Sequence, residues 1–269
     1  MCTHKHSCYG SASSALVAVI YGYLLNIYGF SAAFIAVVLF LSVLLAVSLR
    51  MPEPDLSDTA QKPSFFHQFS FLKKPEVLIF ILLSMLGNGT MDIVESYVPV
   101  LLIQKGGTTS MMGWITFIGA GIEFIGLKQF SRVLKRIRPG TALCLGMTGY
   151  ALKAICVSQI SVLNGFYLIP LFQLIAFCLF IPSRVYILQE CVGSADSASA
   201  LSVTFTCYAL FGTFIGNPLS GVLSKSIGTE RMLICFAGIA LFGAAAYAIY
   251  LRTRNKNESR TTNQDETGG

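Results

Sequence analysis

Charge is scarce in this sequence. Only 12% of its 269 residues are Asp, Glu, Lys or Arg, against about 25% in an ordinary soluble domain, while 54% are hydrophobic and the mean hydropathy is +0.67. A chain so poor in polar side chains cannot clothe a water-facing globule, which excludes a soluble fold. Also missing are H-E-x-x-H, G-x-S-x-G and a phosphate-binding glycine loop, so a membrane enzyme is disfavoured. The start of the chain lacks a short apolar segment followed by a small-residue cleavage site. Its polar stretch through Ser7 runs straight into a full-length span, so no signal peptide is expected.

Long apolar runs are abundant. About 20 such residues are needed to cross roughly 30 Å of hydrocarbon. Runs of that kind occupy 12–28, 31–49, 77–103, 112–131, 141–158, 166–188, 198–224 and 232–251, which predicts an all-α membrane protein with about eight transmembrane helices. The exception is the stretch Arg50 to Glu76, with Pro52, Pro54, Pro63 and Pro75 among charged residues. Such a segment has no place in hydrocarbon and must lie in water between two embedded blocks.

Most of the 19 basic residues cluster at one set of span ends, including Lys73, Lys74, Arg132, Lys135, Arg136, Arg138, Arg252 and Arg254. The positive-inside bias then places both termini and the central loop in the cytoplasm, in a multi-pass protein of the cell membrane. The net charge of +6 is thereby a topology signal and implies no nucleic-acid partner. The tail from Arg254 is polar and free of aromatics, and is expected to be disordered.

The eight cysteines are mostly scattered through spans, where a thiol behaves as a small apolar group, and imply no disulfide framework. Cys2, His4, His6 and Cys8 alternate with single residues, a spacing that matches no common zinc finger, so neither a metal nor any other cofactor is expected. Asn88-Gly89-Thr90 is a glycosylation sequon by pattern but falls within a span.

The two spans before the loop resemble the last two. Gly22 and Gly29 bracket a turn, and Gly221 and Gly228 repeat the seven-residue spacing, with Leu24 matching Leu223 and Ile35 matching Ile234. Further stretches point the same way: Tyr9-Gly10-Ser11, Phe71-Leu72-Lys73-Lys74-Pro75, Gly113-Trp114, Gly119-Ala120-Gly121-Ile122-Glu123, Arg132-Val133-Leu134-Lys135-Arg136, Phe172-Gln173, and Gly212, Gly216 and Gly221. With the central loop, these make the chain similar to the major facilitator superfamily, and within it to the lactose-permease-like, nucleoside and phenylpropionate proton symporters. The resemblance implies bundles of that type, with the spans here resembling helices 5–12 of a twelve-helix transporter and the chain truncated at its N-terminus. On that reading residues 1–49 hold the last two helices of an N-terminal bundle, 50–76 the cytoplasmic loop, 77–252 a complete six-helix bundle and 253–269 the tail. The implied activity is transport of a small polar or aromatic solute by alternating access, coupled to protons, with the lipid bilayer as surroundings. An efflux antiporter of the same superfamily and a non-transporting remnant are the other readings.

An ionised side chain at the bilayer centre costs at least about 2.5–3.5 kcal/mol, so each one needs a cavity, a partner or a task. Asp92 and Glu95 stand three apart on one helical face, Glu123 is near the middle of its span, and Lys153 and Arg184 lie in the next two. A rise of about 1.5 Å per residue puts Asp92 and Glu123 at similar depth and Glu95 closer to Lys153. All five are candidates for substrate binding or proton coupling, against the alternative of fixed interhelix salt bridges. Lactose-permease-like proteins use carboxylates and an arginine in this way, although no His stands beside Arg184 here. Trp114, Tyr97, Tyr150, Tyr186 and Gln173 are candidates for lining a sugar or aromatic site. The glycines at 119, 121, 126, 212, 216 and 221 approximate the small-xxx-small spacing that lets helices approach closely.

Overall fold

The computed structural model describes residues 17, 20, 27–29, 31, 34–50, 71–193 and 197–267. Most of the expected first span, most of the central loop, the Cys2–Cys8 run and Tyr9-Gly10-Ser11 lie outside them. Among the described residues there are helices and no strand. Six helical spans are long and apolar enough to cross a membrane: Pro75–Gln104, Thr109–Phe130, Pro139–Gln159, Leu163–Val192, Ser197–Ile227 and Thr229–Arg254. They coincide with the last six expected runs. A shorter apolar helix, α1 (Phe34–Ser48), falls within the second run.

Each boundary has a local cause. α2 (Pro75–Gln104) and α4 (Pro139–Gln159) both open on proline, whose missing N–H costs nothing in a first turn. α3 (Thr109–Leu134) is capped by Thr108, whose hydroxyl accepts a hydrogen bond from the Met111 amide at 3.3 Å. The fourth span starts as a 3₁₀ helix, Leu163–Leu174, and continues as α5 (Ala176–Val192). The fifth is α6 (Ser197–Ala209), a wide π-helical stretch Leu210–Gly216, and α7 (Asn217–Ile227). The last, α8, runs Thr229–Thr267 and thus continues as helix over most of the tail expected to be disordered. No Gly or Pro occurs between Gly243 and Gly268 to stop it.

Two apolar clusters hold the bundle. One gathers Phe71, Val77, Phe80, Leu143, Met147, Phe180, Leu188 and Tyr247, the other Ile93, Val94, Leu101, Leu102, Ala154, Phe166, Met232 and Phe236. Along α2 they are separated by the buried polar side chains Ser84, Asn88 and Thr90. Hydrocarbon is as apolar as leucine, so association inside a membrane relies on close packing and interhelical hydrogen bonds. α4 and α5 supply the closest packing: a Cβ on Gly146 would lie 2.8 Å from the Phe180 Cα, and one on Gly149 2.9 Å from the Ala176 nitrogen. Neither glycine belongs to the stripes marked in the sequence. Of those that do, Gly126 meets the Cys178 sulfur, whereas Gly121 faces open space.

The repeat glycines Gly29 and Gly228 share a left-handed backbone, at φ 69° and 89°, which a side chain would oppose. The feature common to the two repeats is therefore a positive φ at the second glycine as well as a spacing.

Where the C-terminal end of α2 meets the N-terminal end of α8, Lys105 pairs with Glu230 at 2.8 Å and also donates to the Ile160 carbonyl. Glu230 is half-exposed, so Glu230→Ala is expected to cost at most about 1 kcal/mol. That appears as a loss of no more than about 4 °C in thermal unfolding of the solubilised protein.

Candidate functional site

The acidic face of α2 organises the interior. Asn88, Asp92 and Glu95 follow at i, i+4 and i+7, so they share one side of the helix, and Pro99 a turn later withholds the amide that the Glu95 carbonyl would otherwise receive. From this face two polar assemblies extend in different directions.

The first joins α2 to α3, α4 and the 3₁₀ segment around a cavity of about 250 Å³. Its polar lining is Glu95, Thr116, Glu123, Tyr150, Lys153 and Gln173, and its apolar lining includes Met91, Met112, Ile115, Ile169 and Phe177. The Lys153 ammonium bonds the Glu95 carboxylate at 2.5 Å, and the Gln173 side-chain amide donates to the same oxygen at 3.2 Å. Lys153 is 2% exposed while the Glu95 side chain is 44% exposed, so a buried cation is tethered to an acid at the cavity mouth. Glu123 enters from α3 and makes no ion pair or hydrogen bond through its carboxylate among the described residues. The 3₁₀ turn matters here: with three residues per turn Pro170 and Gln173 eclipse one another, and both face the cavity.

The second assembly joins α2 to α5, α6 and the π-helical stretch. Asn88 donates to the Asp92 carboxylate at 2.9 Å and accepts from the Arg184 guanidinium, so a single amide bridges acid and base. Arg184 is buried among aromatic faces, its guanidinium carbon 4.6 Å from the Phe180 ring centre, 4.7 Å from Tyr208 and 5.5 Å from Phe205. Rings in that position stabilise a cation through their negative faces. Tyr208 in turn shares a 2.7 Å hydrogen bond with Ser84. The Asp92 carboxylate lies against Gly212 so closely that a Cβ there would fall 2.1 Å from its oxygen.

The expected residues thus fall into groups. Glu95, Glu123, Lys153, Gln173 and Tyr150 surround one cavity, while Asp92 and Arg184 belong to the other assembly. Trp114, Tyr97 and Tyr186, expected to line a site, are not among the residues lining this cavity. Trp114 is 42% exposed and packs edge-on against Phe117, Tyr186 packs against Phe130, and Tyr97 packs on the apolar cluster that holds Ile93, Leu101 and Phe236. A run of apolar residues reveals a span but not which way the helix is rotated, so an aromatic's facing was not readable. By pattern alone Asn88 reads as part of a sequon. Its signal was there: an amide four residues before Asp92 in a span otherwise apolar.

The family model of the Major Facilitator Superfamily matches residues 7–216, well over half of the chain. No curated protein matches it at a significant level.

Proposed function

Because the chain belongs to the major facilitator superfamily, a family of multi-pass membrane transporters, we propose that it carries a small polar or aromatic solute across the cell membrane by alternating access, coupled to protons, with both termini in the cytoplasm. The observation that carries this reading is the cavity shared by Glu95, Glu123 and Lys153 inside six membrane-length helices. Charged groups are costly in hydrocarbon and are retained where they serve ions or substrates. Glu123 is the proton-carrying acid in this reading. Its carboxylate faces the cavity without a fixed partner, so its charge state is not locked by a salt bridge as that of Glu95 is. Asp92 is a second acid, reporting to Arg184 through Asn88. The lactose-permease-like branch remains the preferred assignment within the family, on the stretches around Lys73-Lys74-Pro75 and Glu123.

The test is proton movement in proteoliposomes. With the chain reconstituted around the trapped pH dye pyranine, one member of a panel of sugars, nucleosides and aromatic acids and amines is expected to shift the dye signal above that of empty vesicles. Glu123→Gln is expected to reduce the initial rate about tenfold or more, equivalent to about 1.4 kcal/mol in the rate-limiting barrier. An unchanged rate in Glu123→Gln would remove that residue from the coupling role.

A further inference from the structure

We propose that the cavity between α2, α3, α4 and Leu163–Leu174 receives its solute through a protonated amine, held by the Glu123 carboxylate and the Gln173 carbonyl. The proposal rests on reading that cavity as the solute site, and narrows the solute class.

The charge balance comes first. Two carboxylates and one ammonium line the cavity, and the ammonium is already bonded to Glu95. Lys153 is buried and its bond to Glu95 would have to break before it could receive an anion. With both acids ionised the wall carries one uncompensated negative charge, located on the partly buried Glu123, and a charge withdrawn from water is stabilised by a counter-charge.

The hydrogen-bond inventory points the same way. Gln173, which lines the cavity, spends its amide N–H on Glu95, and its carbonyl oxygen has no partner although the residue is only 8% exposed. The hydroxyl of Tyr150, fully buried in the same wall, is also unpartnered. Such atoms are rare in a native interior and call for a missing partner. A carboxylate and an amide oxygen only accept, and a phenol oxygen can also accept, so the missing partner is rich in donors. An ammonium group has three donors and the required charge. A polyol would supply donors but leave the Glu123 charge unanswered, and a carboxylate solute would fail on both counts.

The remaining wall suits the body of such a solute. Phe177, Tyr150, Met91 and Met112 offer aromatic faces and polarisable sulfur, which favour organic cations and rings. A cavity of about 250 Å³ corresponds to roughly eight water volumes of about 30 Å³ each. That is room for a single-ring amine.

Titration calorimetry on the full chain in lipid nanodiscs at neutral pH tests this with three probes of one shape: benzylammonium, benzyl alcohol and benzoate. Benzylammonium is expected to bind at least about tenfold more tightly than benzyl alcohol, and benzoate not measurably. Glu123→Gln is expected to weaken benzylammonium about tenfold or more while leaving benzyl alcohol unchanged. Gln173→Leu weakens it severalfold, and Glu123→Asp, which retains the charge, keeps most of the affinity. Circular dichroism confirms that each variant is folded. The proposal is overturned if benzoate matches benzylammonium, if Glu123→Gln leaves benzylammonium affinity intact, or if none of the probes binds. Binding of benzylammonium with no dye response in pyranine vesicles would sink proton coupling and leave the amine site standing, so the two readings fail separately.

Discussion

Glu95→Leu is expected to destabilise the bundle by about 3–5 kcal/mol, the cost of stranding a buried charge whose partner has been removed. Lys153 is 2% exposed, and the Glu95 carboxylate is its only ion-pair partner among the described residues. The leucine also removes the acceptor of the Gln173 amide, so a second buried donor is orphaned. Removing the other member costs less, because Glu95 sits at the cavity mouth with 44% of its side chain exposed. The asymmetry yields a sharper expectation: Glu95→Leu combined with Lys153→Met should be more stable than Glu95→Leu alone, since the double variant buries no charge. Equilibrium unfolding of the detergent-solubilised protein measures all three. A double variant less stable than Glu95→Leu would show that Lys153 is held by something other than this pair.

Gly146→Leu is expected to prevent the bundle from assembling. An added Cβ would lie 2.7 Å from the Phe180 Cβ and 2.8 Å from its Cα and nitrogen, and backbone cannot rotate aside as a side-chain tip can. The two helices would have to separate, and overpacking of this kind costs about 1–3 kcal/mol even where side chains can yield. Here the expected cost is at the top of that range or beyond it. The displacement would also move Phe180, which holds both the Tyr150 ring at 5.8 Å and the Arg184 guanidinium. Gly121→Leu is the control, because nothing lies within 4 Å of a Cβ there. Size-exclusion profiles of the solubilised variants report the outcome: Gly121→Leu should elute like the parent, and Gly146→Leu should be lost to aggregate. Equal behaviour of the two would mean that the α4–α5 approach is looser than the structure has it.

The two glycines also mark what the sequence could and could not tell. Small residues spaced about four apart signal close packing in general, yet Gly121, in one such approximate stripe, touches nothing, while Gly146, outside those stripes, touches backbone. Contact depends on helix rotation, which is a tertiary property. The six spans were legible because length and apolarity suffice to specify a membrane helix. The nearness of Glu95 to Lys153 was legible as depth, since rise per residue is nearly constant, but their bond was not. The 3₁₀ and π stretches were not legible at all. Pro170 can be accommodated in several ways, and the π-helical turn depends on what it packs against. The bridging role of Asn88 required knowing that Arg184, 96 positions later, reaches the same level of the bundle.

The wide turn at Leu210–Gly216 solves a problem of phase. The buried residues of that span are Ala200, Thr204, Tyr208, Gly212, Gly216 and Ser220, one in every four. In an unbroken α-helix a residue taken every fourth position drifts by about 40° each time, so by Ser220 the stripe would have turned roughly 200° and faced the opposite side. The π-helical stretch winds with roughly 4.4 residues per turn and drifts the other way, returning about half of that angle. The drift is thereby reduced where the span meets α2, with Tyr208 meeting Ser84 at one level and Gly212 receiving Asp92 at the next.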